Sequence, residues 1–185
     1  MTFLVEKTPL AGLLVVKPKV FGDARGYFFE SYQNERYLEH GITTQFIQDN
    51  ISKSPKNILR GLHFQNPKTQ GKLVSALSGS IFDVAVDVRR GSSTFGKWFG
   101  ITLSDENKYQ LFVPRGFAHG FMVTSESAIC HYKCDAFYAA ESEYALAWND
   151  PAVNIKWPEG VPLLSKKDQE GRLLSDFLAE ELPCA

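Results

Sequence analysis

Long apolar runs are missing from this sequence. The N-terminal stretch MTFLVEKTPLAGLLVVKPK breaks its hydrophobic residues with Glu6 and Lys7, and its longest apolar run is far shorter than a signal core or a membrane span requires. The expected setting is therefore the cytoplasm, with no membrane partner. An excess of charge of one sign is lacking too: 20 Lys and Arg stand against 21 Asp and Glu, a formal net charge of −1. Such a molecule has no electrostatic footprint for nucleic acid, and any anionic ligand must be held by local arginines and lysines. Cysteine is scarce. Cys130, Cys134 and Cys184 are an odd number at spacings that fit neither a disulfide framework nor a CxxC pair, so they read as reduced thiols. Zinc needs about four ligands, and nothing near Cys130, His131 and Cys134 completes such a set. Only four histidines occur, His40, His63, His119 and His131, and no two are two residues apart. Gln65 stands where the second ligand of a His-x-His pair would fall, so neither a metal nor another cofactor is expected.

What is present is one ordinary domain's worth of chain, spanning residues 1–185, with 44% hydrophobic residues and no repeat or Pro/Gly/Ser linker to divide it. Most segments read as short strands. IFDVAVDV (Ile81 to Val88) alternates cleanly, with Phe82, Val84, Val86 and Val88 on one face and Ile81, Asp83, Ala85 and Asp87 on the other. YFFESY, TTQFIQDNI, KLVSAL, WFGITL, YQLFVP, HGFMV and AICHYKCDAFY are similar runs bounded by turn residues. Two stretches predict helices: Asn34 is placed to cap Glu35 to His40 before Gly41, and Ser165 to cap KKDQEGRLLSDFLAEEL. The pattern is all-β, an antiparallel barrel or sandwich with a few short peripheral helices, whose interior would hold a small ligand.

LRGLHFQ, Leu59 to Gln65, sets an arginine, a glycine and a histidine in an apolar strand. Strict alternation sends Arg60 and His63 to opposite faces, so they share a pocket only if the strand bulges, and Gly61 is the residue that permits a bulge or a close backbone approach. Gln48 and Asn50 share one face of their run, Lys72 opens KLVSAL, Asp83 interrupts IFDVAVDV, and His119 opens HGFMV. Tyr132 and Tyr138 are expected on one face of a late strand. Inward polar groups are costly unless satisfied, and this many describe a wet cavity rather than a sealed core. Taken singly, each also has a bland reading: a half-buried strand histidine, a rim arginine, a solvent-facing lysine.

LRGLHFQ, then QGKLVSALSGSIFDVAVDVRRGSSTFGKW, VPRGFAHGF, YAAESEYALAWNDP and LLSKKD, together resemble the dTDP-4-dehydrorhamnose 3,5-epimerase family from DARGYFFE at Asp23 through Asp168. The resemblance implies a cupin-type jelly-roll barrel, a metal-free homodimer, and inversion of dTDP-4-dehydro-6-deoxy-D-glucose at C3 and C5. The chemistry fits the residue types. A 4-keto group acidifies both flanking C–H bonds, so one base removes a proton to give an enolate and one acid returns it on the opposite face. By resemblance His63 matches the base and Tyr132 the acid. Asp168 matches the carboxylate that supports the histidine, although Ser165 and Asp168 are also spaced as a helix cap. Asp83 is a second candidate for that task. Lys72 matches the residue beside the ketone, where charge develops, and His119 a further substrate contact. For the nucleotide, the resemblance assigns Arg60 to the diphosphate, with Arg25 and Glu30 reaching in from a partner subunit. Tyr138 is assigned to stacking on thymine with Gln48, Asp49 and Asn50 as polar neighbours, and Glu143 and Lys167 close the site. QNPKTQGK and Ala139–Ala140 depart from the usual pattern, in loops away from the catalytic set. A single-carbon epimerase on a related keto-sugar, a non-catalytic nucleotide-sugar-binding module, and a metal-dependent cupin oxygenase are the alternatives.

Overall fold

Strand β1 (Phe3–Lys7) and β2 (Leu14–Pro18) form an opening hairpin, followed by the smaller hairpin β3 (Phe21–Asp23) and β4 (Gly26–Phe28) and the helix α1 (Asn34–Glu39). The body consists of β5 (Gln48–Pro55), β6 (Leu59–Gln65), β7 (Lys72–Ser78), β8 (Ser80–Asp87), β9 (Trp98–Ser104), β10 (Gln110–Val113), β11 (Phe117–Val123) and β12 (Ser127–Cys134). Strand β13 (Glu143–Ala145) and helix α2 (Lys166–Gln169) belong to the C-terminal segment. These elements come from a computed structural model that describes residues 3–185, so Met1 and Thr2 of the span 1–185 lie outside the described residues.

Two antiparallel sheets face one another as a cupin-type jelly roll. One has the order β1-β2-β10-β7-β12-β5 and the other β13-β6-β11-β8-β9. Between them lies a core in which Val74, Ala76 and Cys130 of the first sheet meet Ile81, Ala85, Phe117 and Phe121 of the second. The alternation of β8 explains how one strand serves two layers. Ile81, Asp83 and Ala85 point between the sheets, while Val84, Val86 and Val88 pack outward with Phe64, Leu146 and Phe177 under the C-terminal chain. A slip of one residue would exchange the two faces, and each buried valine is worth about 1.5–3 kcal/mol, so the register is fixed by burial on both sides. A third cluster, Val16, Tyr37, Ile42, Leu73 and Phe112, lies under α1. No helix among the described residues is long and apolar enough to cross a membrane.

Several local expectations are corrected. The cap of α1 is Gln33, whose side chain accepts from the Arg36 N–H, one residue before Asn34. Ser165 does cap α2 by accepting from the Asp168 N–H, but that helix stops after Gln169. Beyond it the chain is drawn against β13, with Arg172 N–H donating to Ala145 O (2.9 Å) and Ala147 N–H to Arg172 O (2.8 Å), so the helix-like run continues only as short turns. YFFESY contributes just Tyr27 and Phe28 to a strand, and TTQFIQDNI becomes strand only from Gln48. Strand β12 ends at Cys134, because the following Asp135 turns inward to accept from the Gly71 N–H (2.7 Å), Thr44 and Arg115. Tyr138 therefore lies on the loop after β12 and not on a shared strand face with Tyr132.

Candidate active site

The site begins with the seam between β6 and β11. His119 pairs in register with His63, whereas Phe121 pairs with Arg60, so two steps along β11 match three along β6. That extra residue is a bulge, and it reverses the parity of alternation. Arg60 and His63 consequently line the same cavity. Gly61 makes the seam possible: its φ is +101°, and a Cβ there would lie 2.5 Å from His119 O and 2.7 Å from Gly120 Cα.

The cavity has a volume of about 510 Å³ and opens between the sheets, with His63, Lys72, His119 and Tyr132 among its walls. A second, adjoining hollow of about 290 Å³ shares His63, Lys72 and Tyr132 and extends to Gln48, Asn50, Tyr138 and Glu143. The two hollows form one elongated cup with an imidazole, an ammonium and a phenol at its middle.

Each histidine on the β6/β11 seam has its own carboxylate. His63 Nε2 lies 2.6 Å from Asp168 Oδ1, and His119 Nε2 lies 2.8 Å from Asp83 Oδ1. Of the two carboxylates considered for His63, it is thus Asp168 that touches it. Burial pushes the Asp168 carboxyl up, but hydrogen bonds from His63, Ser165 and the Gly61 N–H outweigh this and hold it below the ordinary carboxylate range. An ionised carboxylate only accepts, so Nε2 of His63 carries the hydrogen and Nδ1 presents its lone pair. A hydrogen bond to a charged group contributes about 1.5–3 kcal/mol, roughly tenfold or more in tautomer population, which is enough to fix that choice. Asp83 is wholly buried and its Oδ2 has no partner among the described residues. Burial raises its pKa, opposed by His119 and Lys72.

On the facing sheet, β12 turns Tyr132 inward between the buried thiols Cys130 and Cys134. Burial raises the phenol's pKa, with the neighbouring Cys134 adding to the effect, so Tyr132 remains protonated at neutral pH. Lys72 opens β7 and forms no side-chain hydrogen bond or ion pair with a described residue. Burial lowers its pKa, against the pull of Cys134, Glu143, Asp135 and Asp83. Edge strand β5 gives its inward row to the cup: Gln48 bonds Asn50 (3.2 Å) and accepts from the Tyr138 N–H (3.2 Å), and Ser54 accepts from Arg60 Nε (3.0 Å). Ser52, in the same row, lines the cavity with a buried hydroxyl that has no partner among the described residues. Sequence reading passed over Ser52, although alternation from Gln48 and Asn50 points to it. At the outer end, Tyr138 Oη donates to Glu143 Oε2 (2.6 Å), and the Lys167 ammonium bonds the same oxygen.

Three of the expected contacts are not brought into this cup. Asp49 projects from the other face of β5, bonded to Lys133 at 2.9 Å and 3.7 Å from His131, as alternation from Gln48 and Asn50 requires. Arg25 is held by Asp23 on the β3–β4 hairpin with its side chain 90% exposed, and Glu30 is paired with Arg36. No group of three His, Cys, Asp or Glu residues among the described residues is arranged to hold a metal ion. Cys130, Cys134 and Cys184 are free thiols.

This arrangement sits in a chain whose residues 7–176 match the family model for dTDP-4-dehydrorhamnose 3,5-epimerase. The chain belongs to the dTDP-4-dehydrorhamnose 3,5-epimerase family. It is 51% identical over 181 residues to the dTDP-4-dehydrorhamnose 3,5-epimerase of Salmonella typhimurium, covering 96% of this chain and 99% of that one. With the Pseudomonas aeruginosa enzyme of the same name it shares 53% over 167 residues, 89% and 92% of the two chains. A crystal structure of the dTDP-6-deoxy-D-glucose-3,5-epimerase of Legionella pneumophila in complex with dTDP-4-keto-L-rhamnose superposes with a TM-score of 0.97 at 50% identity, covering 100% and 99%. Family membership thus agrees with the jelly roll.

Proposed function

We propose that this protein inverts C3 and C5 of dTDP-4-dehydro-6-deoxy-D-glucose by acid–base catalysis through an enolate, acting in the cytoplasm as a homodimer. The observation that carries the reading is the shared cavity of His63 and Tyr132, one a base with a free nitrogen lone pair and the other an acid kept protonated by burial. The C–H bond flanking the ketone breaks, its electron pair moves into the enolate, and the proton goes to His63 Nδ1. Tyr132 then gives its phenolic proton to the same carbon from the opposite face. Asp168 keeps the imidazole in the required tautomer and stabilises the imidazolium. The ammonium of Lys72 stabilises the enolate oxygen as charge develops there, with His119, held by Asp83, as a further contact to the sugar.

Arg60 offers a planar donor pair to the diphosphate, and Tyr138 offers a ring face to thymine, with Gln48 and Asn50 beside it and Glu143 and Lys167 closing the end. Arg25 and Glu30 complete the site of a second copy, a reading supported by Arg25 standing exposed and away from its own chain's cup.

The reaction is tested by incubating the protein with the keto-sugar nucleotide in deuterated water and reading the sugar by NMR. Deuterium is expected at both C3 and C5. Label at one carbon only would reduce the assignment to a single-site epimerase, and no label would end it. His63→Ala and Tyr132→Phe should each slow incorporation roughly 10²–10⁴-fold, whereas a binding module would show no exchange to lose.

A further inference from the structure

Two inversions by one base and one acid leave a proton imbalance in the protein. After the first, His63 carries a proton it must lose and Tyr132 lacks one it must regain, while the sugar lies between them and prevents direct return. Before the same pair can act on the second carbon, His63 needs an acceptor on the side of Nδ1.

Glu143 occupies that side. It opens β13, which pairs along β6 so that Glu143 lies opposite Gln65 and Ala145 opposite His63. Its Oε1 is 3.7 Å from His63 Nδ1, whereas Asp168 holds Nε2 on the far edge of the ring. The distance is physically telling. With a lone pair on Nδ1, nitrogen and carboxylate are two acceptors and stand just beyond hydrogen-bond reach. Once Nδ1 is protonated the same contact becomes a charge-assisted hydrogen bond, and less than an ångström of movement closes it. The other oxygen, Oε2, is tied to Tyr138 Oη and the Lys167 ammonium. Exposure rises along this line: the Glu143 side chain is 11% exposed and that of Lys167 50%, while Tyr138 is 56% exposed. Burial pushes the Glu143 carboxyl up, but Lys167, Tyr138 and His63 overcome this and hold it low, so the group passes a proton on rather than keeping it.

We infer that Glu143 is a proton relay that resets His63 between the two inversions by carrying its proton from the cup to solvent. The inference rests on the epimerase reading above. In each reset the Nδ1–H bond breaks as an Oε1–H bond forms, and the proton then leaves to water, regenerating the carboxylate. Tyr132 recovers a proton from solvent through the open side of the cup, so the protein returns to its starting state without an oxidant or reductant. Glu143 acts through His63 and is a positioning and relay group rather than one that touches the reacting carbons.

The test is Glu143→Gln in the whole protein, assayed in deuterated water with the dTDP-linked keto-sugar, at fixed pH and ionic strength, with and without added formate or imidazole. The expected result is a fall in kcat of about 10²-fold or more, build-up of the singly inverted sugar, and recovery of rate as the small buffer is raised. Wild type should ignore the buffer. Glu143→Asp, which sets the carboxylate one methylene farther back, serves where the amide variant does not fold, and should show a milder, equally buffer-sensitive loss. A loss that appears only in KM, or a slowed kcat that formate and imidazole leave unchanged, would overturn the relay. Absence of deuterium incorporation by wild type would instead overturn the epimerase reading on which it rests.

Discussion

Lys72 enters the cup from the first position of β7, where burial lowers its pKa from the ordinary 10.5. Tyr132, across from it, is shifted the other way, above the ordinary 10.0. Discharge of the ammonium is therefore drawn to lower pH than in free lysine, and ionisation of the phenol to higher pH than in free tyrosine. On the proposed mechanism loss of the ammonium removes the cation beside the enolate oxygen, and the alkaline limb of kcat/KM is assigned to Lys72, below the free-lysine value. Arginine stays charged throughout this range. Lys72→Arg should lower the plateau rate, because a planar guanidinium does not reproduce a point charge, yet move the alkaline limb to higher pH. A kcat/KM profile from neutral pH to about 10.5 checks this, and a limb at the same place in both proteins would assign it to another group. The neighbouring pair His119 and Asp83 shows how closely residue-scale choices are balanced. Two inward aspartates and two inward histidines allow either pairing in sequence, and only the seam that sets His63 against α2 and His119 against β8 decides between them.

The element that concentrates this chemistry is β6. Its bulge turns an odd spacing, Arg60 to His63, into a common face, and the backbones of Gly61 and Gly120 approach closely to form it. An alanine at 61 would have to adopt a left-handed φ and press its Cβ into the His119 carbonyl. Strain and overpacking of these kinds cost about 1–3 kcal/mol each, so Gly61→Ala should lower the midpoint of denaturant unfolding and lose activity together with it. An alanine variant as stable and active as wild type would show that the close approach is dispensable. Much of this was legible in LRGLHFQ, since the glycine and the broken alternation demand a bulge if the two polar residues are to meet. The two faces of β8 and the inward row Gln48, Asn50 of β5 were likewise readable from period two. Elements set by non-local partners were not. Tyr138 lies past the end of β12 because Asp135 is claimed by Gly71, Thr44 and Arg115. The run after Ser165 has helix-like composition but is captured by the edge of β13. The contact between His63 and Glu143 depends on the β6–β13 register, which no short-range pattern encodes.

At the scale of the whole molecule, the chain exposes what a second copy would cover. Strand β5 is a sheet edge, Ile51 on it is 67% exposed, and Tyr27 and Phe28 on the β3–β4 hairpin are each 60% exposed. Open strand edges and exposed aromatic hairpins are surfaces that soluble proteins cover or pair. Arg25 stands at the tip of that hairpin, held by an exposed pair with Asp23, and such pairs yield readily to a better anionic partner. If the partner subunit's Arg25 completes each site, then catalytic and arginine defects on different chains should complement. Arg25→Ala and His63→Ala proteins would each be nearly inactive alone. Unfolded together and refolded as an equal mixture, half of the dimers would be hybrids, and in each hybrid one site would hold both an intact His63 and an intact arginine from the other chain. The mixture should recover about one quarter of wild-type activity, as expected for a two-fold symmetric dimer with shared sites. Sedimentation of the mixture confirms that dimers have formed. A mixture of dimers no more active than its parents would mean that Arg25 serves its own chain, because in that arrangement no hybrid contains an intact site beyond the residual one.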